Sequence, residues 1–300
     1  MALLIVGSVA YDTYKTPFGS VKEAMGGAAV HAALAASRLA RAVAVVGVVG
    51  RDYRQADLGL LSRQGIDISG IERAPGRTFR WTGRYEGDMA QAQTLKTELG
   101  VFGAFNPALP KALARPRFLF LANIHPAVQA AVLRQAGKPA FTLLDTMNYW
   151  IASQRAALLK VIRAVDGLIV NDQELRQLTG AGTLAVAAQK ALALGPKVLI
   201  LKRGEHGASL HTRKGSFHVP AYPVAKVLDP TGAGDSFAGG FIGRLAQAGA
   251  VDEPMLREAM LYGTAMASFN VEDFSVKRVL KAGRPGIAAR VKALKAMIAL

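Results

Sequence analysis

The chain has no cysteine in its 300 residues, which excludes a disulfide framework, thiolate catalysis and cysteine-ligated metal centres. It has no apolar run near the roughly 20 residues needed to span a bilayer, so no membrane partner is expected. Acidic residues are scarce, 21 against 37 lysines and arginines, for a formal net charge of +16. Such a balance raises nucleic acid, anionic surfaces or phosphorylated ligands as partners. The cations are scattered, however. Arg51, Arg54, Arg63, Arg73, Arg77, Arg80 and Arg84 lie among acidic and apolar neighbours, and no basic helix with interleaved aromatics is present. No nucleic-acid partner is expected, and the excess charge would steer ATP-sized polyanions. A nucleic-acid binder would reveal itself by steeply salt-dependent binding to duplex. The stretch Met1–Gly7 lacks a basic lead and turns polar by Asp12. It reads as a buried strand rather than a signal peptide, and a cytoplasmic location is expected.

What is present suits a large core, with 51% hydrophobic residues. Internal repeats and low-complexity linkers are missing, so residues 1–300 read as a single domain. Apolar runs at Leu3–Gly7, Ala42–Val49, Phe118–Ala122, Ala140–Leu144, Gly167–Asn171 and Val198–Lys202 alternate with helical patterns. Those helices are expected at 28–39, 53–64, 127–135, 153–164, 172–179, 183–194, 235–248, 254–269 and 287–300. This rhythm predicts an α/β fold with a mostly parallel sheet and crossover helices. Two segments, 11–18 and 78–101, break it and read as inserted antiparallel strands. Phe79, Trp81 and Tyr85 alternate there, as a packing stripe, a subunit contact, or a cover for a sugar ring or base.

The most informative stretch is Asp229-Pro230-Thr231-Gly232-Ala233-Gly234-Asp235-Ser236-Phe237. It implies a glycine-rich turn opening into a helix. Free N–H groups of Gly232, Ala233 and Gly234 at that N-terminus would form an anion hole. A carboxylate there would be a poor phosphate ligand. It fits a general base, Asp235, taking a proton from an alcohol while the N–H groups hold a phosphoryl group. Asp12 after the first strand can accept two hydrogen bonds from a vicinal diol. Gly26 and Gly27 before a small-residue helix permit close approach of a substrate. Asn171 or Asp172 can cap a helix with Glu174 in its first turn. Lys202, in Lys202-Arg203-Gly204-Glu205-His206-Gly207, is a point charge for phosphates. Asn123 at a strand end is a substrate-side candidate, and Asp145 with its neighbours can line the cleft.

At these residues the chain resembles the PfkB/ribokinase family of sugar and nucleoside kinases, in order from Leu3 to about Ser268. The resemblance implies a ribokinase-like three-layer sandwich with a small β-sheet lid over the sugar site, often the contact of a homodimer. It implies Mg²⁺-ATP-dependent phosphorylation of a hydroxymethyl group on a sugar or nucleoside. Asp12, Gly26 and Gly27 would hold the acceptor, while Lys202, Gly204, Gly207 and Asn270 would face ATP. Asn171 and Glu174 would organise Mg²⁺ through water. Asp229 and Ser275 match positions that serve a monovalent cation such as K⁺ in some members. His31 stands where many sugar kinases carry Asn, and reads either as an acceptor ligand or as a satisfied helix-face histidine. The alternative is a non-catalytic sugar or nucleoside sensor of kinase ancestry, against which the intact Asp235, Asn171 and Glu174 argue.

Overall fold

The computed structural model describes residues 2–89 and 91–299. Ala90, inside the expected lid, and Met1 and Leu300, at the ends of an expected strand and helix, lie outside them. In chain order, β1 (Leu3–Val6) is followed by β2 (Ala10–Thr16), β3 (Gly19–Gly26), α1 (Ala28–Ser37), β4 (Val43–Gly50), α2 (Gln55–Arg63) and β5 (Ile66–Ala74). Next come β6 (Phe79–Tyr85), β7 (Ala92–Glu98), β8 (Phe118–Leu121), α3 (Pro126–Gln135), β9 (Phe141–Asp145), α4 (Asn148–Ser153) and α5 (Arg155–Ile162). The chain continues through β10 (Gly167–Asn171), α6 (Asp172–Thr179), α7 (Leu184–Ala193), β11 (Val198–Lys202), β12 (Ala208–Thr212) and β13 (Gly215–Val219). It ends with α8 (Ala233–Ala248), α9 (Glu253–Asn270), α10 (Lys277–Leu280) and α11 (Arg284–Ile298).

Among the described residues nine strands form one sheet in the order β13-β12-β11-β10-β9-β8-β1-β4-β5. It is parallel except for β12 and β13. Side-chain alternation divides each central strand between two cores. Leu3, Ile5, Phe118 and Phe120 face a layer built with α1, α8 and α9, while Leu4, Val6, Leu119 and Leu121 face α3 to α7. The result is a helix–sheet–helix sandwich, and burial on both faces explains why these strands read as unbroken apolar runs. β1 pairs with both β4 and β8, so the chain leaves it in both directions. The crevice at the carboxyl ends of the strands opens at such a point.

β3, β2, β6 and β7 form a small second sheet in that order, and its Tyr14 and Tyr85 reach Asp229 and Thr231 before α8. Both unusual segments enter it, and β2–β3 and β6–β7 pair antiparallel as expected, whereas β2 and β6, which join the two segments, run parallel, Ala10 opposite Phe79 and Asp12 opposite Trp81. A parallel pair between distant segments leaves no local turn signal. β3, which the sequence reading did not separate as a strand, closes a hairpin with β2. The β12–β13 hairpin and the edge strand β5 also went unread, because β5 is half exposed and lacks an apolar run.

Helix α8 is fixed from behind by close packing. A Cβ at Gly239 would lie 2.2 Å from the Ala32 carbonyl oxygen of α1. Small residues along both helices therefore let α8 press onto α1 and place its N-terminus at the crevice.

Candidate active site

The turn before α8 is held in its sharp form by Gly232, whose φ of 75° and ψ of 4° are left-handed. A side chain there would meet the His31 ring at 2.3 Å. His31 is accordingly buried under the turn, with Nδ1 unpartnered, and burial lowers its basicity. Asn270 is also buried beneath the turn: its Nδ2 donates to the Thr231 carbonyl at 2.7 Å and its Oδ1 accepts from Ser236 Oγ at 2.9 Å. Both side chains thus brace the loop from within the protein. The Ala233 N–H donates to the Pro230 carbonyl at 3.1 Å.

Asp235 lies in the first turn of α8 and is half-buried. Burial and the nearby Asp145 and Glu174 carboxylates push its carboxyl up to about 7, against the pull of Lys202. Lys202 ends β11, and its Nζ lies 3.8 Å from Asp145 Oδ1 at the end of β9. A Cβ at Gly234 would sit 3.0 Å from that ammonium, so Lys202 rests against the α8 turn. Burial draws Lys202 down, but Asp145, Glu174 and Asp235 outweigh it and the net direction is up.

Between them β10 ends at Asn171 and leads directly into α6, whose first turn carries Glu174. The two form a capping box: the Glu174 N–H donates to Asn171 Oδ1, and the Asn171 N–H to Glu174 Oε2, each at 2.8 Å. Burial pushes Glu174 up to about 7. Helix capping and proximity to the site are therefore combined in one motif.

Asp12 on β2 approaches from the small sheet. Its Oδ2 lies where a Cβ on Gly26 would be, 1.9 Å away, so only glycine fits there. Burial raises its carboxyl to about 7; the Gly27 N–H lowers it, and Asp235 and Asp229 raise it further. Asp229 is buried, accepting Thr231 N–H at 2.8 Å, Ser275 N–H at 2.7 Å and the Tyr14 hydroxyl. Ser275 Oγ donates to the Met25 carbonyl at 2.8 Å. The Asp229–Ser275 pair thus joins the small sheet to the glycine-rich turn. Thr231 Oγ1 adds a bond to Tyr85 Oη at 3.1 Å.

Asp12, Gly26, Gly27, Asn171, Glu174, Lys202, Asp229, Gly232, Ala233, Gly234 and Asp235 therefore converge on one cleft, with His31 and Asn270 behind it. Gly204 and Gly207 shape the turn after β11, where Gly207 packs against the Val219 carbonyl. Asn123 follows β8, where its Nδ2 donates to Met147 Sδ at 3.2 Å and its Oδ1 is buried without a partner. The sequence reading placed Asp145 only as one of several strand-end residues that can line the cleft, and did not single out Tyr14. A lone aspartate closing the fully buried strand β9 was the available signal for Asp145. Tyr14 had none, because its partner is 215 residues away.

The family model described as pfkB family carbohydrate kinase matches residues 3–281. A cytidine kinase of Thermococcus kodakarensis is 29% identical over 246 residues, covering 80% of this chain and 87% of that protein. An aminoimidazole riboside kinase of Salmonella typhimurium is 27% identical over 300 residues, 89% of this chain and 88% of that one. Among solved structures, an E. coli chain described as a ribokinase II, in complex with ATP and Mg²⁺, superposes with a TM-score of 0.78 at 20% identity, covering 97% and 99% of the two chains. That last likeness is one of fold.

Proposed function

The chain belongs to the pfkB family of carbohydrate kinases, and from that premise we propose that it transfers the γ-phosphoryl group of Mg²⁺-ATP to a hydroxymethyl group of a sugar or nucleoside. The observation that carries the reading is Asp235: a carboxylate in the first turn of a helix, raised to about 7, beside Lys202 and facing Asp12 across the cleft. In this reading Asp12 fixes the acceptor's vicinal hydroxyls. Asp235 removes the proton of the attacking hydroxyl. The N–H groups of Gly232 and Gly234, with the helix dipole, stabilise the transferring group; the Ala233 N–H is already engaged with Pro230. Most of the rate enhancement comes from positioning and charge, because phosphoryl transfer asks little covalent work of the protein.

The donor set fits Mg²⁺. Glu174 and Asp235 bring carboxylate oxygens, the donors a hard divalent cation takes, to the cleft beside Lys202. Asn171 Oδ1 is committed to its capping bond, so Glu174 and Asn171 would hold the ion through water, as Mg²⁺ favours. When bound, it would neutralise charge on the phosphate oxygens. Asp229 already accepts from three protein donors, which favours a joint between lid and turn over a K⁺ ligand. The exposed Leu95 on β7, with Leu99 just beyond it, supports a homodimer through the lid.

The test is ADP release over a panel of nucleosides, ribosides and hexoses with Mg²⁺-ATP. An acceptor-dependent rise is expected. Acceptor binding by calorimetry without turnover would favour the sensor reading instead.

A further inference from the structure

Three neighbouring strands end at the cleft and build one polar cluster: β9 brings Asp145, β10 brings Asn171 and leads into Glu174 of α6, and β11 brings Lys202, which pairs in register with Asn171. Lysine has a flexible four-carbon stem that must be held if its charge is to act at one point. Three carboxylates surround it, but they are not equally free to hold it. Glu174 is committed to the Asn171 N–H at 2.8 Å. Asp235 must remain available to the acceptor hydroxyl. Asp145 closes a fully buried strand, is 4% exposed, and otherwise accepts the Thr146 N–H at 2.9 Å. It is a fixed anion 3.8 Å from Lys202 Nζ, and a Cβ at Gly234 would meet the same ammonium at 3.0 Å.

We propose, on the reading that this cleft transfers a phosphoryl group, that Asp145 is a positioning residue: it holds the Lys202 ammonium against Gly234, where that charge meets the phosphoryl group in transfer rather than the remoter parts of the nucleotide. Asp145 itself touches neither substrate and exchanges no proton. Its effect passes through Lys202, so it is felt in the transition state more than in ATP binding.

A double-mutant cycle tests this. Asp145→Asn is expected to lower kcat by about 10- to 100-fold, the scale of a misplacement near 1 Å, with KM for ATP changed by less than about threefold. In the Lys202→Met background the same change should alter kcat by less than about twofold, because the ammonium through which it acts is gone. An equal loss in both backgrounds would overturn the proposal. So would a higher Mg²⁺ requirement in Asp145→Asn that persists with Lys202→Met, which would assign Asp145 to the metal. If Asp145→Asn does not fold, Asp145→Glu keeps the buried pair while shifting it by one methylene, and the same cycle applies. A crystal structure of the variant supplies a reading independent of turnover: Lys202 Nζ should leave Gly234, and an unmoved ammonium refutes the positioning role. That arm still decides if the wild type shows no acceptor-dependent ADP release, a result that would remove the kinase reading alone.

Discussion

Asp235→Asn separates a catalytic base from a structural turn residue, because two of its effects have opposite signs. Asn keeps the size and the helix N-terminal position but cannot accept the proton. General-base contributions of about 10²–10⁴-fold correspond to roughly 2.7–5.5 kcal/mol of barrier, and the loss should appear in kcat. Stability should move the other way. The folded carboxyl is raised from 3.8 to about 7, first by burial and then by Asp145. Between those values the unfolded chain has lost a proton that the folded chain keeps, so folding stability falls as pH rises through that window. Above about pH 7 the ionised group opposes folding, and Asn removes that opposition. The helix-dipole contribution it forgoes is only about 0.3–1 kcal/mol. At pH 8 the variant should therefore melt at or above the wild-type Tm while losing at least about 100-fold in kcat. ATP affinity should be unchanged or tighter, since one negative charge beside the phosphates is gone. The measurements are kcat by ADP release, ATP binding by calorimetry, and Tm on the same folded protein. Turnover within about threefold of wild type would remove Asp235 as a base.

The pH profile of kcat/KM should rise from pH 5 and level off above about 7, because Asp235 works as a base only after losing its proton; a flat profile from pH 5 to 9 contradicts this. Gly232→Ala should lower stability by more than about 1 kcal/mol in urea denaturation, from left-handed strain alone, with the His31 overlap adding to it; an unchanged midpoint would mean the turn adjusts freely. Tyr14→Phe removes a buried donor from Asp229 and should cost about 1–3 kcal/mol, measured by the same denaturation. Leu95→Glu on the exposed lid edge should yield monomers in sedimentation if the lid joins two copies; an unchanged mass counts against the lid as the contact.

The alternation of buried strands and helices was legible in the chain because the central strands are covered on both faces and some helices end at a local stop signal such as Gly180 or Gly249. The glycine-rich turn with Asp235 was legible for a similar reason: its geometry is dictated by consecutive residues. The capping box of Asn171 and Glu174 is local too, and its bonds span three residues. Other features depend on groups far apart in sequence. Nothing in Ala10–Thr16 announces a parallel partner at Phe79–Tyr85, because register between remote strands is chosen by burial of their shared face. His31 and Asn270 lie on helices, where a polar side chain can face a cleft or a core with equal local propriety. The pressing of α8 onto α1 and α9 turned both inward, beneath Gly232. Asp145 and Lys202 are separated by 57 positions, and neither carries a mark of the other. They meet because β9, β10 and β11 are adjacent in the sheet, and a charge cluster of this kind exists only once strand order brings their ends together.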